Sequence, residues 1–206
     1  MAILKHLSIM AVGLVAFAVP AGLPSGMAQS APTTAKAYFA GGCFWCMEEA
    51  FEKVDGVIAV VSGYMGGTVA NPTYEQVSDG RTGHAESIEV TYDPTKITYQ
   101  KLLDAFWRNV DPITPNAQFC DHGNQYRSVV FYTTDEEKQL AEESKSKIEQ
   151  SKRLPAPIMT QLVKAPTFYP AEDYHQDYYK KNPLRYKYYK YSCGRAQRLE
   201  VLWGKP

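Results

Sequence analysis

The chain predicts a single mixed α/β or α+β domain with helices packed on a sheet. Three observations carry this: strand-like and helix-like periodicities alternate along it, no segment repeats, and 206 residues suffice for one sizeable core rather than two. Hydrophobic residues make up 45% and charged residues 21%, a globular composition that argues against disorder or a coiled coil. The 22 basic and 22 acidic side chains cancel. No charge footprint points to nucleic acid or an anionic membrane as partner.

The first 28 residues stand apart. Lys5 and His6 precede an apolar run from Leu7 to Leu23, broken by Gly13, Pro20 and Gly22, and Gly26-Met27-Ala28 follow. This is the layout of a secretory signal peptide, and the run is short for a membrane span. Cleavage after Ala28 and a periplasmic or secreted destination are expected. Residues 29–35 read as a disordered leader and 36–206 as the working domain.

A short strand, Lys36 to Ala40, enters Gly41-Gly42. A helix follows from Cys43 to Val54, with Phe44, Met47, Ala50, Phe51 and Val54 at helical spacing. Asp55-Gly56 turns into a β-branched strand, Val57 to Tyr64. Asn71-Pro72-Thr73 starts a short helix through Val77. His84 to Tyr92 alternates, which puts Glu86 on one face with Ile88 and Val90. An acid there is costly unless paired or protonated. Thr98 to Val110 is an amphipathic helix, Asp111 to Gly123 an irregular loop, and Arg127 to Thr133 a strand. Asp135 to Lys152 is a charged helix capped by Thr134 or Asp135. A strand lies around Ile158 to Val163, and Ala171 to Lys181 reads as helical. The tail from Tyr186 to Pro206 is aromatic, basic and without clear periodicity, a segment expected to wrap the body with half-buried rings.

Four cysteines remain: Cys43, Cys46, Cys120 and Cys193. An even count in an exported chain permits two disulfides, but a domain of this size rarely needs them, so redox chemistry has at least equal weight. Cys43 and Cys46 have neither a second C-x-x-C pair nor an H-x-x-x-H partner, which argues against zinc. In Gly41-Gly42-Cys43-Phe44-Trp45-Cys46, a strand and two glycines put a sulfur at a helix N-terminus, where the dipole and free N–H groups favour thiolate. Phe44 and Trp45 make an apolar slot beside it. Tyr74 and Tyr126 present phenols from polar loops, and Glu86 a carboxyl from an apolar strand face. Singly, each also reads as an ordinary structural residue.

Together, GCFW (42–45), NPTY (71–74), GHAE (83–86) and D-x-G-x-Q-Y-R-S (121–128) resemble the A-type peptide methionine sulfoxide reductases. The resemblance runs from Ala37 to about Trp203. Tyr74, Glu86 and Tyr126 follow Cys43 by 31, 43 and 83 residues, in the family's order. It implies a two-layer ferredoxin-like α+β sandwich with a mixed sheet and a long irregular C-terminal tail. It implies Cys43 as nucleophile on the sulfoxide sulfur, Glu86 as acid at the oxygen, and Tyr74 and Tyr126 as donors to that oxygen. Phe44 and Trp45 would hold the substrate methyl, with Asp121 supporting the polar loop. The expected cycle is thiol-dependent reduction of the S epimer, free or in proteins, through a Cys43 sulfenic acid. An intramolecular disulfide would then be recycled by thioredoxin or a periplasmic thioredoxin-like reductant. No cofactor or metal is required by this route, and a monomer is expected.

The resolving thiol stays open between Cys193, slightly favoured, and Cys46. Cys120 reads as a buried bystander. Two other functions compete. One is a thioredoxin-like disulfide oxidoreductase using Cys43 and Cys46, which leaves Glu86, Tyr74 and Tyr126 without a task. The other is a non-catalytic peptide-binding module, which leaves the reactive-cysteine setting unexplained.

Overall fold

The computed structural model describes residues 33–205; the signal-peptide reading lies outside them. The first half of the domain runs β1 (Ala35–Gly41), α1 (Phe44–Glu52), β2 (Val57–Met65), α2 (Tyr74–Ser78), β3 (Ala85–Tyr92), α3 (Tyr99–Arg108). It continues through β4 (Ala117–Gln118), β5 (Asp121–His122), a 3₁₀ turn (Asn124–Tyr126), β6 (Ser128–Tyr132) and α4 (Asp135–Gln150). The last part holds β7 (Gln161–Lys164), β8 (Tyr169–Pro170), α5 (Tyr178–Lys181), α6 (Pro183–Ser192) and α7 (Arg195–Trp203).

One six-stranded sheet has the order β7-β6-β1-β3-β2-β8. Its four central strands are antiparallel neighbours, while β7 pairs parallel to β6. With α1 crossing from β1 to β2 and α3 from β3 to β6, this is the expected ferredoxin-like sandwich with a mixed sheet. The alternation read from sequence decides the faces. Ala37, Phe39, Ile88 and Val90 are buried in the main core with Phe51 of α1 and Leu102, Leu103 and Phe106 of α3. Phe39 stacks on Phe51 and Phe106 at centroid distances of 5.1 and 5.3 Å. Ala40, Val129 and Phe131 fill a second, smaller cluster with Met65 and Ala85. Thr98 and Thr134 cap α3 and α4 by accepting the N–H of Lys101 and Glu137.

The C-terminal part corrects the sequence reading. The segment expected to be an irregular tail is largely helical, as α6 and α7. Pro183 opens α6, a position where its missing N–H costs nothing. The helix was masked because its rings point in several directions: Tyr186 is buried, whereas Leu184, Tyr188 and Tyr191 are exposed. Conversely, the helix expected over Ala171 to Lys181 is confined to its last four residues. Asp177 has φ +54°, which interrupts helical geometry, and its N–H is drawn to Oε1 of Glu48 at 3.0 Å. The loop Asp111 to Gly123 holds a two-residue ladder, Ala117–Gln118 against Asp121–His122. Among the described residues no helix is long and apolar enough to cross a membrane.

Candidate active site

The end of β1 delivers Cys43. Gly42 has φ +79°, and a Cβ there would run into the side chain of Gln118, so the turn into α1 requires glycine. Cys43 is the N-cap of α1, and its carbonyl accepts from the N–H groups of Cys46 and Met47. Phe44, the first helical residue, has a free backbone N–H, which donates to Oε2 of Glu86 at 3.0 Å. Glu86 arrives from β3, opposite Tyr64 of β2. The acid that alternation placed among apolar neighbours thus meets the N-terminus of α1.

Glu86 is 4% exposed. Burial raises its carboxyl to about 8, against the lowering effect of the Phe44 N–H, and the charges of Asp121 and Cys46 raise it further. The buried guanidinium of Arg127 donates to the carbonyls of Asn124 and Gly83 at 2.8 and 3.1 Å. Glu86 is therefore a neutral acid near pH 7.

Tyr74 begins α2, set by a capping box between Thr73 and Gln76. Its N–H donates to Oε1 of Glu172, whose Oε2 accepts from the Tyr64 hydroxyl, both at 2.8 Å. Tyr126 closes the 3₁₀ turn, which Gln125 ties to α2 by donating to the Ser78 carbonyl at 3.0 Å. Burial raises both phenols, Tyr74 to about 12, so both remain neutral donors. Cys43, Phe44, Trp45, Tyr74, Glu86, Asp121, Tyr126 and Tyr189 line one cavity of about 70 Å³. Seven of its eight residues were singled out from sequence.

The apolar slot is built by aromatic contacts. Trp45 stacks on Tyr178 at 3.7 Å and 7°, and its indole N–H donates to Nδ1 of His175 at 3.1 Å. That bond makes Nδ1 the acceptor, so the neutral ring carries its proton on Nε2. Phe44 packs between Tyr64 and His175.

Cys43 and Cys46 are free thiols, 6% and 3% exposed. Burial pushes the Cys43 thiol up, and its bond with Cys46 adds to the effect. Cys46 is held at about 6, first by the hydrogen bond from Cys43, then, against burial, by the Arg195 charge, the Tyr186 hydroxyl and the Lys190 charge. Burial opposes the thiolate expected at the helix N-terminus, while Cys43, Arg195, Tyr186 and Lys190 favour ionisation of Cys46.

Cys193 is disulfide-bonded to Cys120, with Cα atoms 4.9 Å apart. Cys120 is exposed, not a buried bystander. The thiol that touches Cys43 is Cys46. Sequence reading missed Glu172, His175, Tyr178, Tyr186 and Tyr189 as parts of the site. For the last two the only signal was a tyrosine pair three apart in a run crowded with tyrosines.

Two clusters have metal-ligand spacing among the described residues: Cys120 with Asp121 and Cys193, and Glu48 with Glu52 and Asp177. In the first, the sulfurs are bonded to each other. In the second, Glu52 pairs with Lys180 at 2.7 Å and Glu48 accepts from Ser62 and the Asp177 N–H.

Known proteins match this arrangement. A family model described as peptide methionine sulfoxide reductase matches residues 35–206. A Listeria innocua protein named peptide methionine sulfoxide reductase MsrA is 48% identical over 168 residues, covering 82% of this chain and 95% of its own. The Vibrio cholerae protein named MsrA/MsrB is also 48% identical, over 88% of this chain, which spans only 48% of that longer relative. Among solved structures, methionine sulfoxide reductase A of Corynebacterium diphtheriae superposes with a TM-score of 0.67 at 34% identity, covering 75% of this chain and 78% of its own. Reduced Mxr1 of Saccharomyces cerevisiae gives 0.68 at 34% identity, covering 73% and 86%. Sequence and fold agree, and the chain belongs to the peptide methionine sulfoxide reductase family.

Proposed function

We propose that Cys43 is the nucleophile and Glu86 the proton donor in reduction of the S epimer of methionine sulfoxide. The observation that carries this is a buried, neutral carboxyl and two neutral phenols converging on the small cavity that also holds the Cys43 sulfur. A sulfoxide oxygen leaves poorly until protonated, so attack on sulfur needs a donor at the oxygen. With the substrate methyl between Phe44 and Trp45, the oxygen faces Glu86, Tyr74 and Tyr126. The two phenols hold it by hydrogen bonds and Glu86 supplies the proton. As Cys43 attacks, its thiol proton passes to solvent through Cys46; oxygen moves to Cys43, which is oxidised to a sulfenic acid carrying the Glu86 proton, and the substrate sulfur is reduced to the thioether.

Cys46 resolves that sulfenic acid in this reading, because it packs against Cys43 and its surroundings favour the ionised thiol. The resulting Cys43–Cys46 disulfide would lie buried beneath α6. Electrons then enter at the exposed Cys120–Cys193 pair from a dithiol protein of the thioredoxin type, and two thiol–disulfide exchanges restore the site. The basic-apolar-small layout of residues 1–28 supports export, and hence a periplasmic reductant; a monomer completes the proposal.

The test is disulfide mapping after one turnover of the reduced protein carrying Cys120→Ser and Cys193→Ser, which removes the exchange pair, with an S-sulfoxide peptide. One methionine and a Cys43–Cys46 disulfide are expected, and Cys43→Ser should release none. Turnover by that variant at a tenth of the parent rate or more would remove Cys43 from the role.

A further inference from the structure

Tyr189 and Asp121 are the two cavity-lining residues to which the reaction above gives no task. Tyr189 lies on α6, and its hydroxyl donates to Oδ2 of Asp121 at 2.5 Å. The same hydroxyl is within hydrogen-bonding reach of the Cys43 sulfur, and its ring meets Trp45 edge-on at 6.0 Å. Anchors on both sides fix it there. Toward the helix end Lys190 pairs with Glu49, and Cys193, the C-cap, is tied to Cys120, the neighbour of Asp121. One turn earlier, Tyr186 bonds to Glu49 at 2.5 Å and contacts Cys46. The phenol thus bridges a carboxyl and the sulfur that carries oxygen midway through the cycle.

That bridge matters for the second chemical step rather than the first. Glu86 has given its proton to the sulfoxide oxygen by the time the sulfenic acid exists. When a thiolate attacks Cys43, hydroxide is a poor leaving group, and a second donor is needed. We propose that Tyr189 is a further catalytic residue, which protonates the departing sulfenic oxygen by a relay from Asp121. The step balances as follows. The Cys46 thiolate attacks Sγ of Cys43, the S–S bond forms and the S–O bond breaks. Cys46 is oxidised and Cys43 reduced by the same bond change. Solvent protonates the Asp121 carboxylate, the Tyr189 hydroxyl turns from Asp121 to the sulfenic oxygen and gives it a proton, the oxygen leaves as water, and the Asp121 carboxyl returns a proton to Tyr189.

The surroundings fit a concerted transfer. Burial and the charges of Cys43 and Asp121 raise Tyr189 so far that a free phenolate is excluded. Burial raises Asp121 as well, against the bond from Tyr189 and the charges of Arg195 and His122. The inference rests on the reductase reading but not on which thiol attacks.

The test is a single-turnover experiment on the fully reduced protein, with sulfenic acid trapped by dimedone and disulfides mapped over time. In Tyr189→Phe, methionine release should stay within about threefold of the parent. Disulfide formation should slow by about 10²-fold, the lower end for loss of a general acid, and sulfenic acid should accumulate. Asp121→Asn should also slow disulfide formation, with an added change in methionine release through Glu86, and disulfide formation in the double variant should be no slower than in the slower single one. A merely structural role would move both steps together or lower the melting temperature without the split. Disulfide formation at the parent rate in Tyr189→Phe overturns the relay and leaves Cys46 as resolver. A slowed step that ends in a different disulfide upholds the relay and removes Cys46.

Discussion

The backbone N–H of Phe44 donates to Oε2 of Glu86 at 3.0 Å, which ties the residue after the candidate nucleophile to the candidate acid. One bond thereby fixes the separation of the two groups that must act on opposite sides of a sulfoxide. It also orients the carboxyl without ionising it, because a single neutral N–H does not offset complete burial.

The cysteine pair has a spectroscopic consequence. Titration of the reduced protein by thiolate absorbance should show one group ionising near pH 6, assigned to Cys46. Since the bond from Cys43 is the largest cause, Cys43→Ala should move that transition upward. An unchanged midpoint would mean that Arg195, Tyr186 and Lys190 hold the thiolate by themselves.

Stability should depend on pH through two buried acids. Burial raises Glu86 to about 8 and Glu48 to about 7, both above the 4.5 of an exposed glutamate. The folded state therefore binds these protons more tightly than the unfolded state. The associated stabilisation is fully present below about pH 4.5 and is lost as pH rises through 7 and 8. Melting curves from pH 5 to 9 should show a decline that Glu48→Gln and Glu86→Gln each flatten. A parent curve with no decline across that window contradicts the buried-acid assignment.

Glu172 should be a positioning residue. Glu172→Ala leaves the Tyr74 N–H and the fully buried Tyr64 hydroxyl without their acceptor, at a cost of about 1–3 kcal/mol each. Tyr74 then loses its fixed place, and kcat/KM for a sulfoxide peptide should fall by about tenfold or more. Glu172→Gln keeps one acceptor oxygen and should recover part of both losses. Parent-like kinetics in the alanine variant would show that Tyr74 is held from elsewhere.

What was legible in the sequence follows from periodicity and local chemistry. Glu86 stood out because strict alternation placed it with Ile88 and Val90, and the sheet buries that face. Cys43 stood out because two glycines and a helical pattern flank it. The charge on Cys46 was not legible, since it depends on burial and on Arg195, 149 positions away in the chain. The Cys120–Cys193 pair spans 73 residues, and no local pattern encodes such a pairing. Tyr189 was hidden by the rings around it, which disguised α6 as an irregular tail.

The central claim is that a protonated Glu86 drives the first chemical step, and rapid-quench measurement of methionine release in Glu86→Gln tests it most directly. In the parent, the single-turnover rate should fall as pH rises through about 8, where the carboxyl ionises. In the variant, which can donate a hydrogen bond but not a proton, release at pH 7 should be about 10²–10⁴-fold slower and that descending limb should vanish. Substrate affinity should change far less than the rate. Release at the parent rate in Glu86→Gln, with the same decline above pH 8, would contradict the account.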